Sequence, residues 1–405
     1  PYSTGAFTTV YAIPNITQLE QATYSFTINA TLSNNCGAAT LPFTVTNNTK
    51  IWNGSDNNTW GDPDNWYPNG IPTNDSCVII EDVGALPNPT ILGPPFPPSP
   101  SFARNLTIKN NGYLELEPST SLTVTDWINV DPSGTFNVRN SANLVQITNV
   151  ATNNNTGTIN MQREVSGLTS SDYVYWSSAV ENFNVLGVSP GSNAGLILEW
   201  RPTVTGNGAG NYGEWQATSE NMIPGKGYAI RGLAGTAAAN AAEFTGRPSN
   251  GIINMPINRG TYDGIDYSGS GSTFATAIDD NWNLVGNPFP SALNTDTFIT
   301  RNAANITDDI DPTIAGTVYL WSNQSAPSNA VTDPFYGDYV YNYNPNDYIA
   351  YNLTGSAPPG FNGFIGAGQA FFVLMDDAAT SPSNLVFDNT MRNGVYSNNQ
   401  FYRID

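Results

Sequence analysis

The chain has 405 residues, of which 33 are acidic and 13 basic, so its formal net charge is −20. A surface of that sign repels phosphate backbones, and the absence of histidine excludes histidine general bases, Ser-His-Asp or Cys-His nucleophiles and histidine-bound zinc or iron. No apolar run reaches the length of a membrane span. We therefore predict neither a nucleic-acid partner nor a membrane span.

The composition predicts an all-β protein outside the cell. Only 11% of the residues are charged, against roughly 25% in ordinary globular proteins, and Asn, Thr, Ser and Gly supply the remaining polarity. These residues disfavour helices and favour short strands joined by tight turns. Low lysine with abundant Asn and Thr is common in exported β-rich proteins, so we expect the outer cell surface or the extracellular space.

Residues 1–48 are interpreted as the end of an immunoglobulin-like β module. The segments 24–28 and 41–45 alternate between apolar and polar residues, as half-buried strands do. The piece is too short for a whole sandwich. Because the chain starts at Pro1 rather than Met, we expect a processed product or a fragment.

Residues 49–165 combine a tryptophan-rich start with a run of short strands. Trp52, Trp60 and Trp66 form either an aromatic platform for a sugar or a hydrophobic plug at one end of a β module, and the Asp and Asn turn residues between them favour the plug. Single short coils cannot bury an apolar face, but stacked coils can, so we predict a β-solenoid, with a meandering sandwich as the alternative. The predicted strands are 77–80, 105–108, 113–116, 122–124, 128–130, 136–138, 144–147 and 158–159.

The sequence has two cysteines, Cys36 and Cys77, in different predicted modules. A disulfide between them would join two modules in an oxidising compartment. Two buried free thiols are the alternative. No CxxC metal or redox motif is present.

Residues 166–262 and 273–405 carry an internal repeat, which predicts two tandem, related β-sandwich units of jelly-roll type. A Gly/Ser-rich stretch at 268–272 joins them. The matched anchors are Trp200 with Trp321, Gly225 with Gly368 and Phe244 with Phe387, and the last two pairs keep the same spacing along the chain.

A tryptophan-led motif, Asn-Trp-Asn-Leu-Val-Gly-Asn-Pro-Phe-Pro-Ser, occupies residues 281–291. It is followed by Val-Tyr-Leu-Trp at 318–321, Ile-Gly-Ala-Gly-Gln-Ala-Phe-Phe-Val at 365–373 and a Leu-x-Phe-x-Asn-x-x-Arg pattern at 385–392. This series resembles a module of Bacteroidetes proteins exported by the type IX secretion system. The tryptophan-rich start is similar to repeats in the same proteins, and the matches together cover most of residues 50 to 400.

The resemblance implies an exported cell-surface protein of the adhesin or gliding-motility type. Its partners would be an extracellular glycan or protein ligand and, through a C-terminal sorting domain, the secretion machinery. The chain stops at Asp405 without such a domain, so we expect a cleaved product or a truncated chain. The module occurs beside enzymes, adhesins and motility proteins alike and therefore implies an export route rather than a molecular task.

Acidic loops are candidate calcium sites. Asp308, Asp309 and Asp311 form the densest cluster, and residues 56–65 form another. Calcium takes six to eight oxygen ligands, which alternate acids in a loop can supply. Solvated turn acids are the alternative for each cluster, and no other cofactor is predicted.

A tyrosine-rich stretch is a candidate ligand-contact surface, with Tyr336, Tyr339, Tyr341 and Tyr343 as its contact residues. Tyrosine supplies a large amphipathic contact area at low entropic cost. An ordered insertion that packs on its own sandwich is the alternative.

Paired carboxylates are the remaining candidates for chemistry. Glycoside hydrolysis needs two acids held in one cleft, and the candidates are Glu181, Glu199, Glu214 and Glu220. Glu199 and Glu214 each precede a tryptophan, so strand alternation favours acids that point to solvent.

These observations predict a non-catalytic structural or adhesive segment of a type IX-secreted surface protein. A carbohydrate-binding accessory region of a secreted glycan-degrading enzyme and a hydrolase that uses carboxylates alone are the alternatives.

Overall fold

The structure is a computed structural model that describes residues 48–94, 101–165, 168, 172–203, 213–233, 241–261, 281–303, 313–322, 328, 347–376, 378–399 and 401, and the backbone of 23–31 and 38–46. Within these residues the one α-helix is α1 (Thr295–Asn302), and the predicted all-β class is confirmed. No described helix has the length and apolar character needed to cross a membrane. The chain begins with an antiparallel hairpin of β1 (Thr23–Thr31) and β2 (Ala38–Thr46).

The next twelve strands form a β-solenoid, as predicted. Three sheets run along it, in the orders β11-β8-β5-β3-β4, β13-β10-β7 and β14-β12-β9-β6, and all neighbours are parallel except β3 and β4. The strands are β3 (Thr49–Trp52), β4 (Trp66–Tyr67), β5 (Cys77–Ile80), β6 (Thr90–Ile91), β7 (Ser101–Ala103), β8 (Asn105–Ile108), β9 (Tyr113–Leu116), β10 (Ser121–Val124), β11 (Ile128–Val130), β12 (Thr135–Val138), β13 (Asn143–Gln146) and β14 (Ile159–Glu164).

Stacking of like residues explains the solenoid. Val78, Leu106 and Ile128 are in register on successive coils, and all three side chains are fully buried. Alternate residues of each strand point inward, so each coil covers the apolar face of the one before it. Gly157 closes the last coil with a φ of +76°, in the left-handed region that glycine tolerates.

The three tryptophans of the start seal the first coil. Trp52, Trp60 and Trp66 are each 1% exposed. The Trp66 ring meets the other two edge-on, with centroids 5.0 Å and 4.8 Å apart. The Trp52 indole donates a hydrogen bond to the Pro87 carbonyl at 2.8 Å. The predicted plug is therefore confirmed, and these rings offer no platform to a sugar.

The remaining strands form two units whose main sheets share the order of four strands, and the sheet of the second unit has a fifth strand at its edge. The first has a sheet of order β15-β18-β16-β17, and the second has one of order β21-β27-β23-β24-β25. Small pairs complete them: β19 with β14, β28 with β20 and β22 with β26. The strands are β15 (Tyr173–Trp176), β16 (Ile197–Arg201), β17 (Glu214–Ala217), β18 (Tyr228–Arg231), β19 (Ala241–Gly246), β20 (Ile253–Ile257), β21 (Trp282–Gly286), β22 (Leu293–Asn294), β23 (Ile314–Trp321), β24 (Tyr348–Asn352), β25 (Gly355–Ala357), β26 (Phe364–Ile365), β27 (Ala370–Met375) and β28 (Ser383–Phe387).

Each sheet packs on both faces. The outer face of the second sheet covers α1 and β28 through a buried cluster that includes Phe298, Phe371 and Phe387. The outer face of the first sheet joins the solenoid core through Trp176 and Tyr228. The inner faces of the two sheets pack against one another through a layer that is mostly aromatic, hereafter the aromatic layer. Its buried members are Tyr175, Trp200, Ala229, Leu284, Trp321, Ala370 and Phe372.

Contacts across the aromatic layer are reciprocal. The Trp200 indole donates to the Trp282 carbonyl at 2.8 Å, and the Trp321 indole donates to the Tyr173 carbonyl at 3.1 Å. Trp200 is the second-last residue of β16 and Trp321 the last residue of the equivalent strand β23, and Trp282 and Tyr173 begin equivalent strands. The two units therefore face each other as the halves of a two-fold symmetric dimer do.

Backbone contacts at the edge of this interface repeat the symmetry. The Ser177 amide donates to the Gly368 carbonyl at 2.7 Å, and the Gly286 amide donates to the Gly225 carbonyl at 3.0 Å. Gly225 and Gly368 are the matched glycines of the repeat, and both have a positive φ.

The second unit also covers the last coil of the solenoid. The buried Arg392 guanidinium donates to the Leu144 carbonyl of β13 at 2.6 Å, to Ser291 Oγ at 2.9 Å and to Asn389 Oδ1 at 3.0 Å. It also lies 4.5 Å from the centre of the Phe289 ring. The conspicuous motifs at 281–291 and 385–392 therefore meet at this junction.

Candidate functional site

Most of the predicted site residues lie outside the residues that the structure describes. These are the calcium candidates Asp308, Asp309 and Asp311, the contact candidates Tyr336, Tyr339, Tyr341 and Tyr343, and Cys36. Cys77 begins β5 and is half-buried, with no disulfide partner in the described part of the chain. The calcium site, the tyrosine surface and the disulfide all stay predictions.

The acidic loop at 56–65 is described, and amides occupy its carboxylates. Asn57 Nδ2 donates to Asp56 Oδ2 and Asp62 Oδ2, both at 2.6 Å. Asp62 Oδ1 accepts the Asp64 amide at 3.0 Å and caps the short helical turn that follows. Among the described residues no group of three or more acids or cysteines is arranged to hold a metal ion.

The four candidate glutamates fall into two groups. Glu181 pairs with Arg247 and accepts Asn153 Nδ2 at 2.7 Å, and Glu214 is exposed on the edge strand β17. Glu199 and Glu220, in contrast, converge on one cation that sequence reasoning had not connected with them.

That cation is Lys226, in the turn before β18. Its ammonium contacts Glu199 Oε2 and lies 2.5 Å from Glu220 Oε1. Arg201 Nε donates to the other Glu199 oxygen, Oε1, at 2.7 Å. The Tyr228 hydroxyl donates to Glu220 Oε1 at 2.7 Å and accepts a backbone amide. We call these five side chains, Glu199, Arg201, Glu220, Lys226 and Tyr228, the charged cluster.

Strand alternation places the charged cluster on the outer face of the first sheet. Trp200 points into the aromatic layer, so its neighbour Glu199 points the other way. The expectation that Glu199 is solvated is wrong, because the solenoid core and the turn at 222–228 cover that face. The Glu199 side chain is 5% exposed, and that of Lys226 is 15% exposed.

The electrostatics of the cluster follow from burial and pairing. Burial by itself would raise the pKa of the Glu199 carboxyl, but the hydrogen bonds from Lys226 and Arg201 outweigh it and hold that pKa below its usual range. Burial also raises the pKa of the Tyr228 hydroxyl, which remains a donor at all ordinary pH. Both carboxylate oxygens of Glu199 and Oε1 of Glu220 are therefore occupied by donors within the cluster.

The second unit shows that the fold does not require such a network. At the positions equivalent to Glu199, Lys226 and Tyr228 it carries Leu320, Gln369 and Phe371. Leu320 and Phe371 are fully buried in the apolar cluster of that unit. The same fold is thus built once with a charged and once with an apolar outer face.

As a catalytic pair, Glu199 and Glu220 are poorly placed. Both oxygens of Glu199 are engaged by cations, so it can neither accept a substrate proton nor attack without first losing a partner.

The crevice nearest to the aromatic layer has room for about one water molecule. It is lined by residues that include Tyr173, Trp321, Gln369 and Phe401.

Sequence reasoning missed Lys226, Arg201 and Tyr228 as partners of Glu199. A usable signal was present in the repeat, because a lysine and a glutamate are aligned there with Gln369 and Leu320. When one copy of a repeat has two opposite charges at positions where the other copy has uncharged residues, the two charges are expected to form an ion pair.

Residues 51–405 match a family of unknown function, DUF8693. The chain belongs to that family. The match begins in β3 and extends through both units, so the family domain comprises the solenoid and the paired units together. No curated protein matches the chain. No solved structure matches it either.

Proposed function

We propose that this DUF8693 chain is a non-catalytic structural and adhesive segment of a bacterial cell-surface protein that leaves the cell through the type IX secretion system. One observation carries the structural part: the solenoid is closed at both ends by its own chain. Trp52, Trp60 and Trp66 seal the first coil, and β19 and the second unit cover the last. Capping keeps stacked coils soluble, and such stacks present extended binding surfaces, which fits a structural and adhesive role.

Charge and packing support the proposal further. The net charge of −20 favours a protein whose molecules stay soluble and apart from one another. Many large aromatic side chains of the described residues are buried in the plug and the aromatic layer, where they fix the shape of the body. The adhesive surface and the secretion route rest on the resemblance of the motifs at 281–291 and 385–392 to type IX-secreted proteins.

Adhesion is tested with the full chain coupled to beads. Beads are passed under flow over surfaces coated with bacterial cells, extracellular proteins or glycans, beside beads that carry an unrelated acidic β protein at the same density. We expect retention by at least one coating above the control. Retention equal to the control on every coating would refute the adhesive role.

The same preparation tests the rival functions. Incubation with glycans and peptides is expected to yield no product, and a product formed by the parent chain but not by Glu199→Gln would establish a hydrolase. Retention on glycans alone, lost on joint replacement of Tyr336, Tyr339, Tyr341 and Tyr343 by Ala, would establish the carbohydrate-binding alternative.

A further inference from the structure

We infer that Lys226 and Glu199 condense to an amide, which cross-links the turn before β18 to strand β16. This inference goes beyond the proposed function and does not depend on it. It rests on the position of the reacting groups, on their burial, on the neighbouring carboxylate of Glu220 and on a comparison with the second unit.

The reacting groups are already in contact. The Lys226 ammonium touches Glu199 Oε2, and Arg201 fixes the opposite oxygen of that carboxylate with its Nε at 2.7 Å. The Lys226 nitrogen is therefore in contact with the carboxylate that it would attack, and it also lies 2.5 Å from Glu220 Oε1. Such fixed contact converts a slow bimolecular condensation into an intramolecular one with a large effective concentration.

The surroundings favour loss of water. The Glu199 side chain is 5% exposed and that of Lys226 15% exposed, and the ring of the fully buried Tyr228 lies 5.2 Å from the ammonium. An amide costs far less to bury than an ammonium and a carboxylate, because it carries no charge. Condensation therefore removes the charges that the fold has taken out of water.

A proton carrier stands at the reaction site. Glu220 Oε1 lies 2.5 Å from the Lys226 nitrogen and accepts the Tyr228 hydroxyl at 2.7 Å. A proton first passes from the ammonium to Glu199 Oε2, which leaves a neutral amine and a neutral acid. The amine electron pair then forms the C–N bond, and the carbonyl pair moves to Oε1, where Arg201 stabilises it.

The second half of the step restores neutrality. Glu220 takes one proton from the new C–N nitrogen and gives it to Oε2, the C–Oε2 bond breaks, and Oε2 leaves as water. The pair on Oε1 re-forms the carbonyl. One carboxyl and one amine thus become one amide and one water, with no oxidant, reductant or further reactant.

Comparison with the second unit indicates that the charges of Lys226 and Glu199 are not needed for folding. A buried ion pair is seldom more stabilising than apolar side chains of similar volume. In the second unit the fully buried Leu320 stands at the position of Glu199, and the uncharged Gln369 stands at that of Lys226. A cross-link would instead tie the first unit together covalently, as a disulfide does in oxidising compartments.

The test is the intact mass of the purified full chain after denaturation. We expect a mass below that of its sequence by one water, about 18 Da, and a proteolytic map in which the peptides of Glu199 and Lys226 are joined. A chain with the full mass and two separate peptides would overturn the inference. So would a loss of water with unjoined peptides, as an Asp-Gly succinimide elsewhere gives.

Variants assign the bond. Lys226→Arg keeps the positive charge but removes the nucleophilic amine, so it is expected to have the full mass of its own sequence. Lys50→Arg is the matched control, since Lys50 donates to the Pro68 and Asn69 carbonyls and not to a carboxylate, and it should keep the deficit of one water. The peptide map of the parent chain decides the matter even where Lys226→Arg does not fold.

Discussion

At the scale of single residues, Arg392 holds the second unit to the solenoid through neutral acceptors. Its guanidinium donates to a carbonyl of the last coil, a serine and an asparagine. We expect Arg392→Met to lower the free energy of unfolding by about 3 kcal/mol, because the buried carbonyl and side-chain oxygens lose charged donors. Urea unfolding at pH 7 measures this.

Arg104→Lys is the control for that substitution. Arg104 forms a salt bridge with Asp126, but its side chain is 55% exposed, and exposed pairs contribute little. We expect a change below about 0.5 kcal/mol. An equal loss in both variants would mean that the junction contacts of Arg392 are not special.

Glu115 gives a prediction for pH dependence. Its hydrogen bonds with Arg139 lower the pKa of this carboxyl on the outer face of β9. A carboxyl whose pKa is lowered by folding stabilises the fold above its unfolded pKa of about 4.3, and this stabilisation is lost as the pH falls through the lower folded value. We expect Glu115→Gln to cost up to about 1 kcal/mol at pH 7, since the pair is partly exposed.

The cost of Glu115→Gln should then shrink below about pH 4, where the parent chain also loses the charge. Urea unfolding at pH 7 and pH 3 measures the difference. Glu243→Gln is the control, and because this residue is exposed on β19 the substitution should change the free energy of unfolding by less than about 0.5 kcal/mol. A cost of Glu115→Gln that does not change with pH would contradict the assignment.

Among elements, the two units lie in close contact where Gly227 faces β21. A Cβ at this position would lie 2.6 Å from Leu284 Cγ and 2.8 Å from Ala370 Cβ. We expect Gly227→Ala to cost about 1–3 kcal/mol, because neither sheet can move away without disturbing the aromatic layer. Thermal unfolding measures this.

Gly195→Ala is the matched control, since the nearest atom to its new Cβ would be Asn193 Oδ1 at 3.4 Å. We expect a change within about 0.5 kcal/mol. If Gly227→Ala and Gly195→Ala lowered the free energy of unfolding by the same small amount, the two sheets would not be in close contact at Gly227.

Elements that depend on local pattern could be predicted from the sequence. The coils around Leu106 and Leu114 were found because alternation and turn residues define a short strand without reference to the rest of the chain. The tryptophan plug was found for the same reason. Burial of Glu199 was not, because strand alternation gives the side of a sheet but not what covers it.

Pairing between distant elements could not be predicted either. The repeat showed that Trp200 and Trp321 are equivalent, but it did not show that each donates to the first strand of the other unit. Nor did it show that β19 completes a solenoid sheet beside β14. These contacts join residues far apart in the chain, which no local pattern specifies.

For the whole molecule, continuous packing predicts cooperative unfolding. The solenoid core continues into the outer face of the first sheet, and the aromatic layer joins that sheet to the second. We expect hydrogen exchange in low denaturant to give the same opening free energy for β9 and for β27, because neither part can open alone without exposing the core of its neighbour.

The edge strand β17 provides the internal control for that measurement. Two of its four residues are exposed, and it lies at the rim of its sheet. Its amides should exchange at a lower free energy than those of β9 and β27. Clearly different values for β9 and β27 would show that the solenoid and the units unfold separately.

The reciprocal contacts between the units show how the two copies can differ in sequence and still pack as a symmetric pair. When one gene encodes both halves of a two-fold dimer, every substitution appears twice and must suit both places. In a chain that carries the two units in tandem, each unit can change by itself, and the interface between them is still that of a two-fold dimer. One copy could therefore keep Leu320 and Phe371 in an apolar interior, while the other acquired Glu199, Lys226 and Tyr228. We therefore expect new functional groups in this family at positions where the two units differ, and residues that stabilise the fold at positions where they agree.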